Sequence, residues 1–180
     1  LTFGSNGDFL VTGNVLASGA NHVLTKTGSG TLTLTGTAST YLGATNIQGG
    51  TLAINDFRAI NNNNALINIG NTTTGGVLSV IGNNLVAANV ITDKVVNLSG
   101  TTGDATILAN QTGTSPGLRF NANFTATGGT SGNAKELFLG GTNAQNNTIF
   151  GTIPDNDAGG AIGVTKIDSG TWVLAGTNTY

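Results

Sequence analysis

Residues 24–41 read LTKTGSGTLTLTGTASTY, and residues 164–180 read VTKIDSGTWVLAGTNTY. Lys26 matches Lys166, Gly30 matches Gly170, Gly36 matches Gly176 and Tyr41 matches Tyr180. The offset is 140 residues at the lysine (166 − 26) and 139 at the tyrosine (180 − 41), so one residue is extra near Ala38 or Ser39. A weaker match extends upstream, GNVLASGANHVLTK (13–26) against GTIPDNDAGGAIGVTK (151–166) with a two-residue gap. The partial copy at 1–41 therefore parallels 137–180, and 1–180 reads as one segment holding about 1.3 copies of a repeat of ~140 residues. Long-period self-similarity of this kind is the mark of an array: a fibre, a stalk or a surface layer.

Composition narrows the fold. Charged residues make up 8% of the chain, against about 25% in an average soluble protein. Hydrophobic residues reach 38%, mostly Leu, Ile, Val and Phe in alternating runs, which can bury a core and so argue against disorder. The 29 glycines, with abundant Thr and Asn, indicate strands joined by tight turns. A formal charge of −2 gives no attraction to nucleic acid or anionic lipid. Without cysteine there is no disulfide framework and no thiol chemistry. No charged-then-apolar leader opens the chain, and no apolar run approaches the ~18 residues of a membrane helix.

The apolar pattern has period two and never a sustained period of 3.6. Short alternating runs occur at 31–35, 51–54, 66–69, 77–81, 95–98, 105–108, 118–120, 137–139 and 172–174, mostly flanked by Gly, Asn, Ser or Thr. Sandwich, barrel and β-solenoid all fit such a series. Three features favour the solenoid. Asn6-Gly7 is the single Asn-Gly dipeptide, so the usual hairpin turn is nearly absent. Low charge with frequent Thr and Asn suits stacked ladders, where like charges would repel. The long repeat suits one-dimensional stacking. Leu32, Leu34, Leu52, Ile54, Leu78 and Val80 then point inward, with Trp172 and Leu174 in the places of Leu32 and Leu34. Thr31, Thr33 and Thr35 face outward, and the glycine pairs at 49–50, 75–76, 128–129, 140–141 and 159–160 mark corners. At roughly 20 residues per coil and about 4.8 Å per coil, the expectation is about nine coils and a rod of some 40 Å.

The stretch 24–54 resembles the autotransporter-associated β-strand repeat, also called the passenger-associated transport repeat. Lys26-Thr27-Gly28, Gly30-Thr31-Leu32, Gly36, Tyr41, Gly43, Thr45 and Gly49-Gly50-Thr51-Leu52 carry the likeness. The second copy departs at Ile167 and Asp168 and places Trp172 in its strand. The resemblance covers about a third of the chain. It implies a right-handed parallel β-helix within a large exported protein displayed on a bacterial surface. It also implies a repeat that is not itself catalytic and is associated with passenger export and folding.

Residues that could carry chemistry are few. His22 is the lone histidine, so a Ser-His-Asp arrangement would need partners positioned on both sides, and the usual zinc sites are excluded. Asp155 and Asp157 flank Asn156 and make calcium the one cofactor to weigh, against a solvated loop as the default. GSNGDFL (4–10) has some likeness to a calcium-binding nonapeptide but is not tandem. Gly28 and Gly30 lack the Gly-Lys-Ser/Thr of a phosphate loop. No pair among the eight acids stands out for glycoside hydrolysis. Lys26 and Lys166 recur at equivalent places and read either as Lys–Asn crosslinking residues or as solvated lysines with their stems over Tyr or Leu. Asn61-Asn62-Asn63-Asn64 reads as a polar turn in preference to an Asn ladder. Asn-x-Ser/Thr triplets at Asn71, Asn97, Asn110, Asn123 and Asn146 are expected by chance at this composition. Phe57, Phe120, Phe124, Phe138, Phe150 and Trp172 read mostly as core stacks.

The sequence thus points to a structural repeat segment of an extracellular bacterial fibre, filament or surface layer. Its partners would be further copies of itself or adjacent repeats of the same long chain, head-to-tail, with no catalytic, cofactor or metal residue assigned. An adhesin passenger segment binding glycans or other cells is the alternative, and a polysaccharide-acting β-helix enzyme the remote one.

Overall fold

A computed structural model of the chain describes residues 1–17, 22–61, 64–129, 132, 134–157 and 159–180. Its strands lie in three parallel sheets. The first sheet sets side by side β1 (Thr2–Gly4), β3 (Leu24–Thr27), β5 (Thr45–Ile47), β7 (Ile67–Ile69), β10 (Val96–Leu98) and β13 (Thr125–Ala126). The second holds β2 (Phe9–Val11), β4 (Thr31–Leu34), β6 (Thr51–Ile54), β8 (Gly76–Val80), β11 (Ala105–Ala109), β14 (Lys135–Gly140) and β16 (Ile162–Lys166). The third begins later, with β9 (Ile91–Thr92), β12 (Arg119–Phe120), β15 (Asn146–Ile149) and β17 (Thr171–Leu174). The chain visits the sheets in turn and stacks each strand on the equivalent strand of the coil before it. This is the parallel β-solenoid expected from period-two runs without hairpin turns. One helical turn, α1 (Ala87–Val90), and one 3₁₀ turn at Phe57–Ala59 interrupt it.

All nine apolar runs coincide with strands, and the residues expected to point inward do so. In-register pairing builds a column Leu32–Leu52–Leu78–Ile107–Leu139 through the second sheet. A second column, Leu34–Ile54–Val80–Ala109, runs beside it. Every member of both columns is at most 2% exposed. Burying each large aliphatic side chain contributes roughly 1.5–3 kcal/mol, repeated at every coil. Across the core the aromatic rings meet on Phe120. Phe57 and Phe124 approach it edge-on at 5.5 and 5.6 Å, and Trp172 stacks at 6.4 Å.

The expected coil size needs correction. Paired residues are between 20 (Thr33 and Ala53) and 32 (Leu108 and Gly140) positions apart. The second sheet has seven rungs, not nine, which gives about 29 Å along the axis. The reason is the third side. In the first coils the chain crosses it as irregular turns; from α1 onward it adds strands and longer connections, so each coil consumes more residues.

Polar side chains hold the coils together where backbone ladders stop. Asn14 Oδ1 accepts from the backbone of Thr37 (2.8 Å) and Ala38 (2.9 Å) one coil away. Asn84, Asn110 and Asn123 do the same for Thr114, Thr142 and Thr152. A continuous amide ladder also runs up the outer side of the first sheet. Asn68 Nδ2 donates to Asn46 Oδ1 at 2.8 Å, and Asn97 Nδ2 donates to Asn68 Oδ1 at 2.9 Å. Thr125 then donates to Asn97 at 2.9 Å. The ladder expected to be least favoured at 61–64 therefore exists elsewhere, built from one Asn per coil. Asn62 and Asn63 lie outside the described residues.

Candidate functional site

The few cations have defined tasks. The ammonium of Lys26 folds back over the corner between β3 and β4 and donates to the carbonyls of Thr27 (2.6 Å), Gly28 (2.9 Å) and Gly49 (3.3 Å). Lys166 closes the equivalent corner between β16 and β17 on the carbonyls of Ile167 and Asp168. Lys135 reaches across the interior to the carbonyls of Leu98 (2.9 Å) and Thr127 (2.6 Å). Lys94 donates to Asn61 through its backbone oxygen at 2.9 Å and its side-chain oxygen at 2.5 Å. All four lysines of the sequence thus donate to main-chain oxygens. Lys26 and Lys166 meet carbonyls rather than an asparagine side chain. The lysine that does meet an asparagine is Lys94. Burial lowers the pKa of Lys26 and Lys135, opposed in each by a more distant aspartate, and lowers that of Lys94 to about 8.

The other residues singled out by sequence are dispersed. His22 is exposed, and its carbonyl accepts from Gly43 at 3.0 Å. Asp155 accepts from the backbone of Ile162 at 3.3 Å, while Asp157 is exposed. Among the described residues no group of three His, Asp or Glu stands close enough to hold a metal ion. Phe57, Phe120 and Phe124 are buried, Trp172 packs partly against the core, and Phe150 is exposed beneath the Arg119 guanidinium at 4.1 Å.

One concave feature gathers polar groups, and it lies where the third sheet opens. A cavity of about 340 Å³ is bounded by the turn at 37–39, by Phe57, Arg58, Asn61 and Asn64 of the next coil, and by α1, β9 and the two residues after it in the coil beyond. Arg58 is its fixed element. The guanidinium forks onto the wholly buried Asp56 through Nε (3.1 Å) and Nη2 (2.7 Å), and Asp56 also accepts from the Arg58 backbone at 2.8 Å. The hydrogen bonds to Asp56 keep the Arg58 pKa above its ordinary value. With 47% of its side chain exposed, Arg58 presents a pre-oriented donor edge to the cavity. Behind it, Tyr41 and Thr45 share a hydrogen bond of 2.7 Å, and the Asn61 amide lies 3.3 Å from the Gly43 carbonyl. Burial raises the Tyr41 pKa. Sequence reading passed over Arg58 and Asp56. A signal was present: in a chain with 8% charged residues, Asp-Phe-Arg at 56–58 places opposite charges two residues apart between two coils.

Comparison with known proteins agrees with the fold. Residues 24–54 and 164–180 match the passenger-associated-transport-repeat family. Over 156 residues the chain is 32% identical to the adhesin BmaC autotransporter of Brucella suis biovar 1 (strain 1330), covering 82% of this chain and 4% of that protein. The chain thus spans a small fraction of the length of the relative it matches. No solved structure matches it. Two stretches of this β-solenoid thus match the passenger-associated-transport-repeat family, and most of its length is similar to a small part of an autotransporter adhesin.

Proposed function

We propose that this chain is a non-enzymatic scaffold segment of a long passenger displayed on the bacterial surface, its coils continuing head-to-tail onto adjacent repeats in a fibre-like stack. The observation that carries this reading is the stacking itself: each coil pairs in register with the one before it, and the columns Leu32–Leu52–Leu78–Ile107–Leu139 and Leu34–Ile54–Val80–Ala109 run through successive coils. Stacking of this quasi-one-dimensional kind lengthens by adding coils without changing the fold. The adhesin named among its relatives, of which the chain matches a short part, supports a surface setting.

Small-angle scattering on proteins extended by neighbouring repeats tests this. The maximum dimension should grow by about 4.8 Å per added coil while the cross-section stays constant. Growth in all dimensions, as in a compact multidomain particle, would overturn the reading.

A further inference from the structure

The cavity at the opening of the third sheet is rich in donors. Arg58 offers a guanidinium edge fixed by a carboxylate that is itself 0% exposed. Lys94 adds a positive charge one coil away, held on Asn61. Thr37 and Asn64, both exposed, and the half-buried Asn89 add hydroxyl and amide groups around the same space. The acid at the rim, Asp93, is engaged by Asn121, whose Nδ2 donates to it at 2.9 Å. The aromatic ring in the wall, Phe57, is 5% exposed, so recognition here rests on hydrogen bonds and charge instead of ring stacking.

We propose that this cavity binds a carboxylate-bearing sugar, a uronic or sialic acid residue of a glycan. A planar guanidinium held by one edge is a pre-organised partner for a carboxylate, and it is the group proteins use where bidentate geometry matters. Amides and hydroxyls, which donate and accept, match the hydroxyls of a sugar ring. About 340 Å³ lies at the lower end of the range for small-ligand sites and suits a single terminal sugar residue. The position suits an extended chain as well. Three successive coils contribute to the walls, so a glycan can leave the cavity in either direction along the axis. The site is open to solvent, so binding is weak per cavity and weakened by salt. The inference uses the surface setting proposed above only for where the ligand is met; binding by the isolated chain is independent of it.

The test is a titration of the isotopically labelled chain, followed through its backbone amide resonances, with sodium D-glucuronate and with N-acetylneuraminate. Glucose and sodium acetate serve as controls. The expected result is saturable shifts at Arg58, Asn61 and Asn89 with at least one acidic sugar, and weaker shifts with glucose and acetate. Asn89→Asp, at a half-buried position of the rim, adds a negative charge and should weaken binding about tenfold. Arg58→Lys should weaken it similarly, with the amide spectrum confirming that the variant is folded. No saturable shift with either acid, equal shifts with glucose, acetate binding as well as the sugars, or undiminished binding by Asn89→Asp would each overturn the proposal.

Discussion

Lys26 and Lys166 close the same corner of the repeated motif on two different edges of the solenoid. Lys26 lies one residue from the end of a strand of the first sheet, and its motif continues into the second. Lys166 ends a strand of the second sheet, and its motif continues into the third. In both copies the ammonium donates to the carbonyls of the next two residues. The residue two positions on has positive φ in both, +71° at Gly28 and +58° at Asp168. The motif therefore specifies a corner, not a place in the coil. Because Lys26 is 2% exposed, Lys26→Met should cost about 1–3 kcal/mol, as removing one partner strands buried acceptors. Lys166→Met, at an exposed corner, should stay within about 0.5 kcal/mol. Urea denaturation of the two variants measures the difference.

Gly50 should tolerate no side chain. Its φ is +60°, and an added Cβ would stand 2.4 Å from the Gly30 carbonyl oxygen and 2.5 Å from that of Gly28. Both are backbone atoms of the preceding coil and cannot turn aside. Gly50→Ala should lower stability by about 2–4 kcal/mol, combining left-handed strain with overpacking. Thermal unfolding reads it out directly.

The amide ladder should behave as a unit. Asn68→Leu takes the donor from Asn46 Oδ1 and one of the two acceptors from Asn97 Nδ2, which keeps Thr127, and should cost about 1–3 kcal/mol. Replacing Asn46, Asn68 and Asn97 together by Val removes the polar groups along with their partners and should cost less than the single changes combined. A mutant cycle on Asn68 and Asn97 should show a coupling of about 0.5–3 kcal/mol.

Lys94 sets a pH dependence. Burial brings its folded pKa to about 8 from 10.5. Between those values the unfolded chain binds more protons than the folded one, so stability rises with pH across roughly 8 to 10. Tyr41, whose pKa burial raises, acts in the opposite sense once the unfolded phenol ionises above about 10. The melting temperature should therefore climb from pH 8 toward 10 and fall beyond it. In Lys94→Met the rising limb should flatten; an unchanged rise in that variant would refute the assignment.

Phe120 joins the third sheet to the core. It is 0% exposed and touches Phe57, Phe124 and Trp172. Phe120→Ala should cost about 3–5 kcal/mol, measured by denaturant titration, with loss of the Trp172 fluorescence environment.

Five of the seven strands of the second sheet were legible because apolar alternation there is sustained, as in Thr31–Leu34 and Gly76–Val80; Phe9–Val11 and Ile162–Lys166 were passed over. The third sheet was legible only in part. Ile91–Thr92 and Asn146–Ile149 carry too little apolar signal, and tertiary stacking alone makes them strands. Coil length was misjudged for the same reason, since the turns on the third side look like ordinary polar loops in sequence. Trp172 matches Leu32 in the motif but joins the third sheet instead of the second, which was not foreseeable. The cavity escaped notice because its walls come from the turn at 37–39, from Phe57, Arg58, Asn61 and Asn64, and from Ala88, Asn89 and 91–94, which no local pattern links. The cation tasks were hidden too: nothing in a lone lysine says that it will fold back over a turn.

The displacement between the two motif copies has a geometric consequence. From Lys26 to Lys166 the chain advances five coils and one further side. A train of units following this step would turn each motif onto the next flank and bring it back to the first after three units, like a thread on a three-sided screw. Any loop or sugar-binding cavity tied to the motif would then face outward in three directions in rotation. A rod so built would show the same surface in three directions, with no flank of its own.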